Sequence, residues 1–138
     1  MKEANTYLHF DGNCREAMDF YGKCLETEPG FTLFSSGPPE IAEVAKAAPD
    51  RILHSEMRSG PVVLMASDIP PGMPFTRGTN FSISISCESQ LELERMFAAF
   101  SENGKVTMPI HLAFWGGHFG MLIDQFGISW MFSYRAPM

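Results

Sequence analysis

Residues 69–78, IPPGMPFTRG, put three prolines and two glycines into ten positions near the middle of a 138-residue chain. Proline withholds a backbone donor, fixes φ and drives the residue before it out of the helical region. Neither a helix nor a central strand runs comfortably through such a segment. The chain is therefore expected to build its elements on either side, as modules over 1–68 and 79–138 joined by a linker over 69–78.

The order of elements repeats across that linker. In the first half, NTYLHF alternates as a strand, with Tyr7 and His9 set against Thr6, Leu8 and Phe10. The following DGNCREAMDFYGKCLE reads as a helix, with Asn13 as N-cap and Glu16 three residues on as a capping-box partner. GFTLFSSG reads as a strand and PPEIAEVAKAAPD as a short helix or helical turn. RILHSEMRSG and PVVLMASD form two more strands around Ser59–Gly60–Pro61.

In the second half, TNFSISIS sets Phe81, Ile83 and Ile85 against Asn80, Ser82, Ser84 and Ser86. A helix follows over ESQLELERMFAAFSENG, capped by Ser89 with Glu92 three residues later and stopped by Gly104. KVTMP, HFGMLI and ISWMF complete the half as strands, the last two joined by the Asp124–Gln125–Phe126–Gly127 turn. Both halves read strand–helix–strand–strand–strand, although their side chains hardly match. The duplication lies in the order of elements.

A net charge of −6 with scattered Lys and Arg supplies no basic stripe for a nucleic-acid backbone. No apolar run reaches the ~20 residues of a membrane helix, and the amino-terminal stretch lacks a secretory h-region. The three cysteines, Cys14, Cys24 and Cys87, fit no CxxC spacing, so reduced, packed thiols in a cytoplasmic protein are expected. Ten methionines and twelve phenylalanines hint at an adaptable apolar surface.

The stretches YLHFDGNCREAMDFY (7–21), ILHSEM (52–57), LMASD (64–68) and FWGGHFGMLIDQFGISWMF (114–132) resemble the PhnB-like group of the vicinal oxygen chelate superfamily. That superfamily includes glyoxalase I, bleomycin-resistance proteins and extradiol dioxygenases. The resemblance implies an α+β fold of two βαβββ modules, with curled mixed sheets around a cleft usually completed in a homodimer. It also implies a divalent metal held by His and Glu on the first and last strands of each module. Mapped here, those four places fall on Thr6, Leu64, Asn80 and Met131, none of them a histidine or carboxylate. No metal and no cofactor are therefore expected.

The favoured reading is a protein that binds a small, partly apolar ligand through Leu64, Asn80, Ser82, Trp115, His118 and Met131. One alternative is a glyoxalase- or dioxygenase-like enzyme with its metal relocated to His54, Glu56 and His118. Another is a drug-sequestering resistance protein, whose acidic charge would favour a cationic ligand. His54 and Glu56 share a strand face, yet an ordinary hydrogen-bonded or exposed histidine is the preferred reading there. His9 is expected to pack, and His111 to take a surface role. Asp68 and Asp124 are expected to bind backbone amides in turns. Some families with these motifs carry the label demethylubiquinone methyltransferase. That reaction would draw on S-adenosylmethionine at a glycine-rich turn, which DGNC does not provide.

Overall fold

The structure is a computed structural model that describes residues 1–137. Two compact units meet in sequence at Thr76 and Arg77, inside the proline-rich segment. The first contains β1 (Thr6–Phe10), α1 (Cys14–Leu25), β2 (Gly30–Leu33), the short α2 (Ala42–Ala47), β3 (Ile52–Ser59) and β4 (Val62–Asp68). Its sheet runs β1-β4-β3-β2, with β1 parallel to β4 and the other neighbours antiparallel. The second contains β5 (Ile83–Ser86), α3 (Gln90–Phe100), β6 (Lys105–Leu112), β7 (His118–Ile123) and β8 (Ser129–Tyr134). Its order, β5-β8-β7-β6 with β5 parallel to β8, repeats the first. The fold is α+β, with two four-stranded mixed sheets.

Alternation along the strands gives each sheet one face under its helix. In the first unit Leu8, Phe10, Met57, Leu64 and Ala66 are buried together with Ala17, Met18, Tyr21 and Leu25 of α1. In the second, Phe97 and Phe100 of α3 meet Trp130 and Phe132 of β8, with ring centroids 4.4 Å apart for Phe100–Trp130 and 6.0 Å for Phe97–Phe132. A fully buried side chain of this size contributes roughly 1.5–3 kcal/mol. Gly120 makes room for this packing, since a Cβ there would sit 2.7 Å from the Phe97 ring.

Three local expectations need correction. Asn13 makes no side-chain cap bond. The donors at the start of α1 go to Asp68, whose Oδ1 accepts from the Gly12 and Cys14 amides at 2.8 and 3.0 Å. By contrast Ser89 does cap α3, accepting from the Glu92 amide at 3.0 Å. β5 begins only at Ile83, so Asn80, Phe81 and Ser82 precede the strand and Phe81 is more than half exposed. β6 runs past Pro109 to Leu112, with register shifts on both sides of Met108. It is an edge strand, where a residue without an N–H costs no ladder bond. The short helix or helical turn expected over 38–50 is present as the six-residue α2, preceded by two single 3-10 turns.

Ser55 is fully buried on the helix side of β3, and its Oγ has no hydrogen-bond partner among the described residues. An unmatched buried hydroxyl is destabilising. Ser55→Ala is therefore expected to raise stability by about 0.5–1 kcal/mol in denaturant titration. A loss of comparable size would show that the hydroxyl is satisfied in solution.

The thiols agree with a packed, inert role. Burial pushes Cys14 up to about 12, helped by the charge of Asp68. Burial likewise pushes Cys87 up to about 11, helped by Glu92. Both stay protonated in the folded state well above the pH where an unfolded thiol ionises. Their contribution to stability is intact below pH ~9 and declines as pH rises toward these values. Iodoacetamide at pH ~8 should leave Cys14 and Cys87 unmodified until denaturant is added, as read by intact mass.

Candidate functional site

The face of each sheet turned away from its helix carries the side chains available to a ligand. In the second unit, the strand register sets Met131 of β8 opposite Met121 of β7, and Met121 opposite Met108 of β6. Three thioethers thus run in a row across three strands. On the β5 side of Met131 stands Ser84, its register partner. Ser133 and Ser86 are paired one pleat further on the same face. At the other end, the Ser82 and Ser129 hydroxyls are 2.7 Å apart. The face therefore divides into a hydroxyl-lined side and a polarisable apolar side. Phe119 extends the apolar side, with His111 edge-on to it at 6.2 Å. Met121 and Met131 are half-buried and Met108 is exposed.

The six residues singled out from the sequence are divided between the units, Leu64 in the first and the other five in the second. Met131 and Ser82 lie on this helix-free face or at its margin. Asn80 is exposed, before β5 begins. His118 is paired with Leu112 and Tyr134, and alternation places it with Gly120 and Leu122 on the helix side. Trp115 belongs to the β6–β7 turn and folds its six-membered ring back over Gly117, where any Cβ would collide with it. Leu64 belongs to the first unit and is 1% exposed, beneath α1. It is a core residue, because its register partners Thr6 and Met57 also lie on the helix side.

That placement bears on the metal implied by the resemblance. The residues that reach the helix-free face at the β1–β4 pair are Tyr7, His9, Met65 and Ser67. At the β5–β8 pair they are Ser84, Met131, Ser86 and Ser133. Neither pair offers a carboxylate, and only the first offers an imidazole, so each by itself is a poor donor set for a divalent ion of the His/Glu type. The relocated set fares no better. His54 and Glu56 lie on β3 and His118 on β7, and no group of three or more metal-ligating side chains forms among the described residues.

Two buried carboxylates shape the turns. Asp68 Oδ2 accepts from the Ile52 amide at 2.9 Å, besides the two α1 donors taken by Oδ1. Asp124 Oδ1 accepts from the Phe126 and Ile128 amides at 2.8 and 3.0 Å, and its Oδ2 from Trp130 Nε1 at 2.8 Å. Asp124 acts within its own turn as the sequence suggested, whereas Asp68, expected to bind amides of the linker turn that follows it, takes amides distant in sequence instead. Asp68 has a further consequence, for it occupies the amides at the β1–α1 turn that would otherwise attract an anionic group. In the turn after β7, Gly127 has φ +86, a conformation that favours glycine.

Among the described residues no helix is long and apolar enough to cross a membrane. A family model described as 3-demethylubiquinone-9 3-methyltransferase matches residues 2–133. YjdN of Escherichia coli (strain K12) is 29% identical over 136 residues, covering 92% of this chain and 91% of that protein. Among solved structures, PA1353 of Pseudomonas aeruginosa is 35% identical, with a TM-score of 0.85 and 98% of each chain covered. The PhnB protein of Bacillus cereus superposes with a TM-score of 0.76 at 21% identity, covering 97% of this chain and all of that one. The fosfomycin resistance protein FosX of Mesorhizobium loti shares the fold alone, at 5% identity and a TM-score of 0.62. With two βαβββ units that share the fold of the PhnB and FosX structures and a family-model match spanning nearly its whole length, the chain belongs to the family described as 3-demethylubiquinone-9 3-methyltransferase.

Proposed function

We propose that this protein binds a small, partly apolar molecule on the helix-free face of the second sheet, without the divalent metal usual in its superfamily. The cross-strand row Met131–Met121–Met108 carries the reading. Methionine side chains are flexible and polarisable, so a row of them adapts to an apolar or aromatic body. The serines beside the row supply the few hydroxyl partners that fix orientation. At Met131, where metal-dependent relatives would place a carboxylate, a thioether removes the charge that a cation needs.

The methyl transfer in the family's description finds no support at the β1–α1 turn. The Gly12 and Cys14 amides there already donate to Asp68 and are not free for S-adenosylmethionine. A homodimer is part of the same reading, supported by exposed Val106 and Met108 on the edge strand β6 and by Leu112, Phe114 and Trp115 beyond them. Sedimentation should give twice the chain mass.

Binding is tested with a neutral naphthylamine dye followed by fluorescence. Wild type should show one saturable site, and Met131→Leu should bind within about threefold of it. Met131→Glu sets a carboxylate against the apolar body and should weaken binding at least about tenfold, equivalent to ~1.4 kcal/mol. Equal affinity of Met131→Glu and wild type would remove the second sheet as the site.

A further inference from the structure

We propose that Tyr7, His54 and Glu56, on the helix-free face of the first sheet, form an acid–base site in which Tyr7 Oη exchanges a proton with a bound molecule. The proposal does not depend on ligand binding at the second sheet. The sheet order places β4 between β1 and β3. Tyr7 registers with Met65, and Met65 with Glu56. The Tyr7 side chain therefore crosses β4 to reach His54, with the two rings 5.9 Å apart. Its hydroxyl stands 3.4 Å from His54 Nδ1. On the far side of the imidazole, Nε2 is 3.7 Å from Glu56 Oε1. These distances are long for hydrogen bonds, as is common at acid–base sites before a ligand closes on them.

Chemistry assigns the proton positions. A carboxylate only accepts, so Glu56 favours the tautomer with hydrogen on Nε2, which leaves Nδ1 free to accept from the Tyr7 hydroxyl. When a ligand X–H gives its proton to Tyr7 Oη, the phenol's own proton passes to Nδ1. The X–H bond and the old O–H bond break, while a new O–H and an N–H form. The imidazolium is then held by Glu56. No electrons are lost or gained, and the reverse transfer protonates the ligand. The matching ligand is a molecule with a weakly acidic O–H or C–H.

The surroundings leave this chain of groups undisturbed. Met65 and Ser67 of β4 are uncharged, as is Thr32, the β2 partner of His54. Arg58, next along the same face of β3, pairs with Glu3 at 3.5 Å. His9 is the other titratable neighbour, its ring 5.1 Å from that of Tyr7. Tyr7 is 41% exposed, so a ligand reaches it without rearrangement.

The test is acetylation of Tyr7 by N-acetylimidazole at neutral pH, followed by peptide mass spectrometry with Tyr134 as internal reference. In that reaction the phenol oxygen bonds to the acetyl carbon as the acetyl–nitrogen bond breaks, His54 takes the phenol proton, and the departing imidazolide takes a proton from water to leave as imidazole. Wild-type Tyr7 should react about tenfold faster than Tyr7 in His54→Gln, whose amide accepts no proton. Glu56→Gln, a change at a positioning residue, should slow Tyr7 several-fold without moving the melting temperature. Glu56→Asp should restore the rate. Equal Tyr7 rates in wild type and His54→Gln would overturn the proposal, as would Glu56→Asp remaining as slow as Glu56→Gln.

Discussion

Asp124→Ala is expected to cost about 3–5 kcal/mol, a large share of the roughly 5–15 kcal/mol that holds a domain of this size together. The carboxylate is 4% exposed and accepts three hydrogen bonds, two from turn amides and one from the Trp130 indole. Alanine leaves all three donors without a partner in a buried place, at about 1–3 kcal/mol each before relaxation. Trp130 is fully buried against Phe100, so its indole cannot turn to water without opening the α3 contact. Both tryptophans, Trp115 and Trp130, lie in the second unit, so intrinsic fluorescence reports its unfolding directly. A midpoint shift worth less than about 1 kcal/mol would mean that water replaces the carboxylate at little cost.

The second large effect belongs to Asp68, again about 3–5 kcal/mol on replacement by alanine. This one side chain ties together three places distant in sequence, through the amides of Gly12, Cys14 and Ile52. Cys14 and Ile52 are buried, so those amides find no water once the carboxylate is gone. The negative charge also sits at the amino end of α1, where the helix dipole favours it. Asp68→Asn is the informative control. Its amide oxygen still serves Gly12 and Cys14, while its NH2 faces the Ile52 N–H, donor against donor. An intermediate loss is expected, read by the urea midpoint from circular dichroism and by faster hydrogen exchange at the start of α1. Identical stability for Asn, Ala and wild type would show that Asp68 does not organise the turn.

The paired architecture was legible because two local signals agree in each half. Apolar residues alternate in the strands and recur at helical spacing in α1 and α3, and the Pro/Gly run separates the halves. The Asp124–Gly127 turn was equally readable, since its partners lie within six residues. Where readings failed, the deciding partner was far away in sequence. Asn13 had the right type for a cap, but Asp68 arrives from the end of β4 and takes the amides first. Leu64 was assigned to the ligand site by counting from a turn, and a slip of one residue in a strand turns a side chain to the opposite face. The parallel β1–β4 pairing fixes the answer by setting Leu64 against Thr6 under α1 and Met65 against Tyr7 on the other face. The same pairing creates the Tyr7–His54 contact, which joins strands separated by a third and leaves no trace in local pattern. Met131 was identified correctly as facing away from the helix, because Trp130 and Phe132 on either side of it are plainly core.

In the proposed function the methionine row of the second sheet binds its ligand without a divalent ion. The most direct measurement is calorimetric titration of the neutral naphthylamine dye into metal-stripped protein, repeated with equimolar Mn²⁺, Ni²⁺ or Zn²⁺. One dye per chain is predicted, with dissociation constants agreeing within about twofold across all four conditions. Binding that appears only after a metal is added would contradict the account.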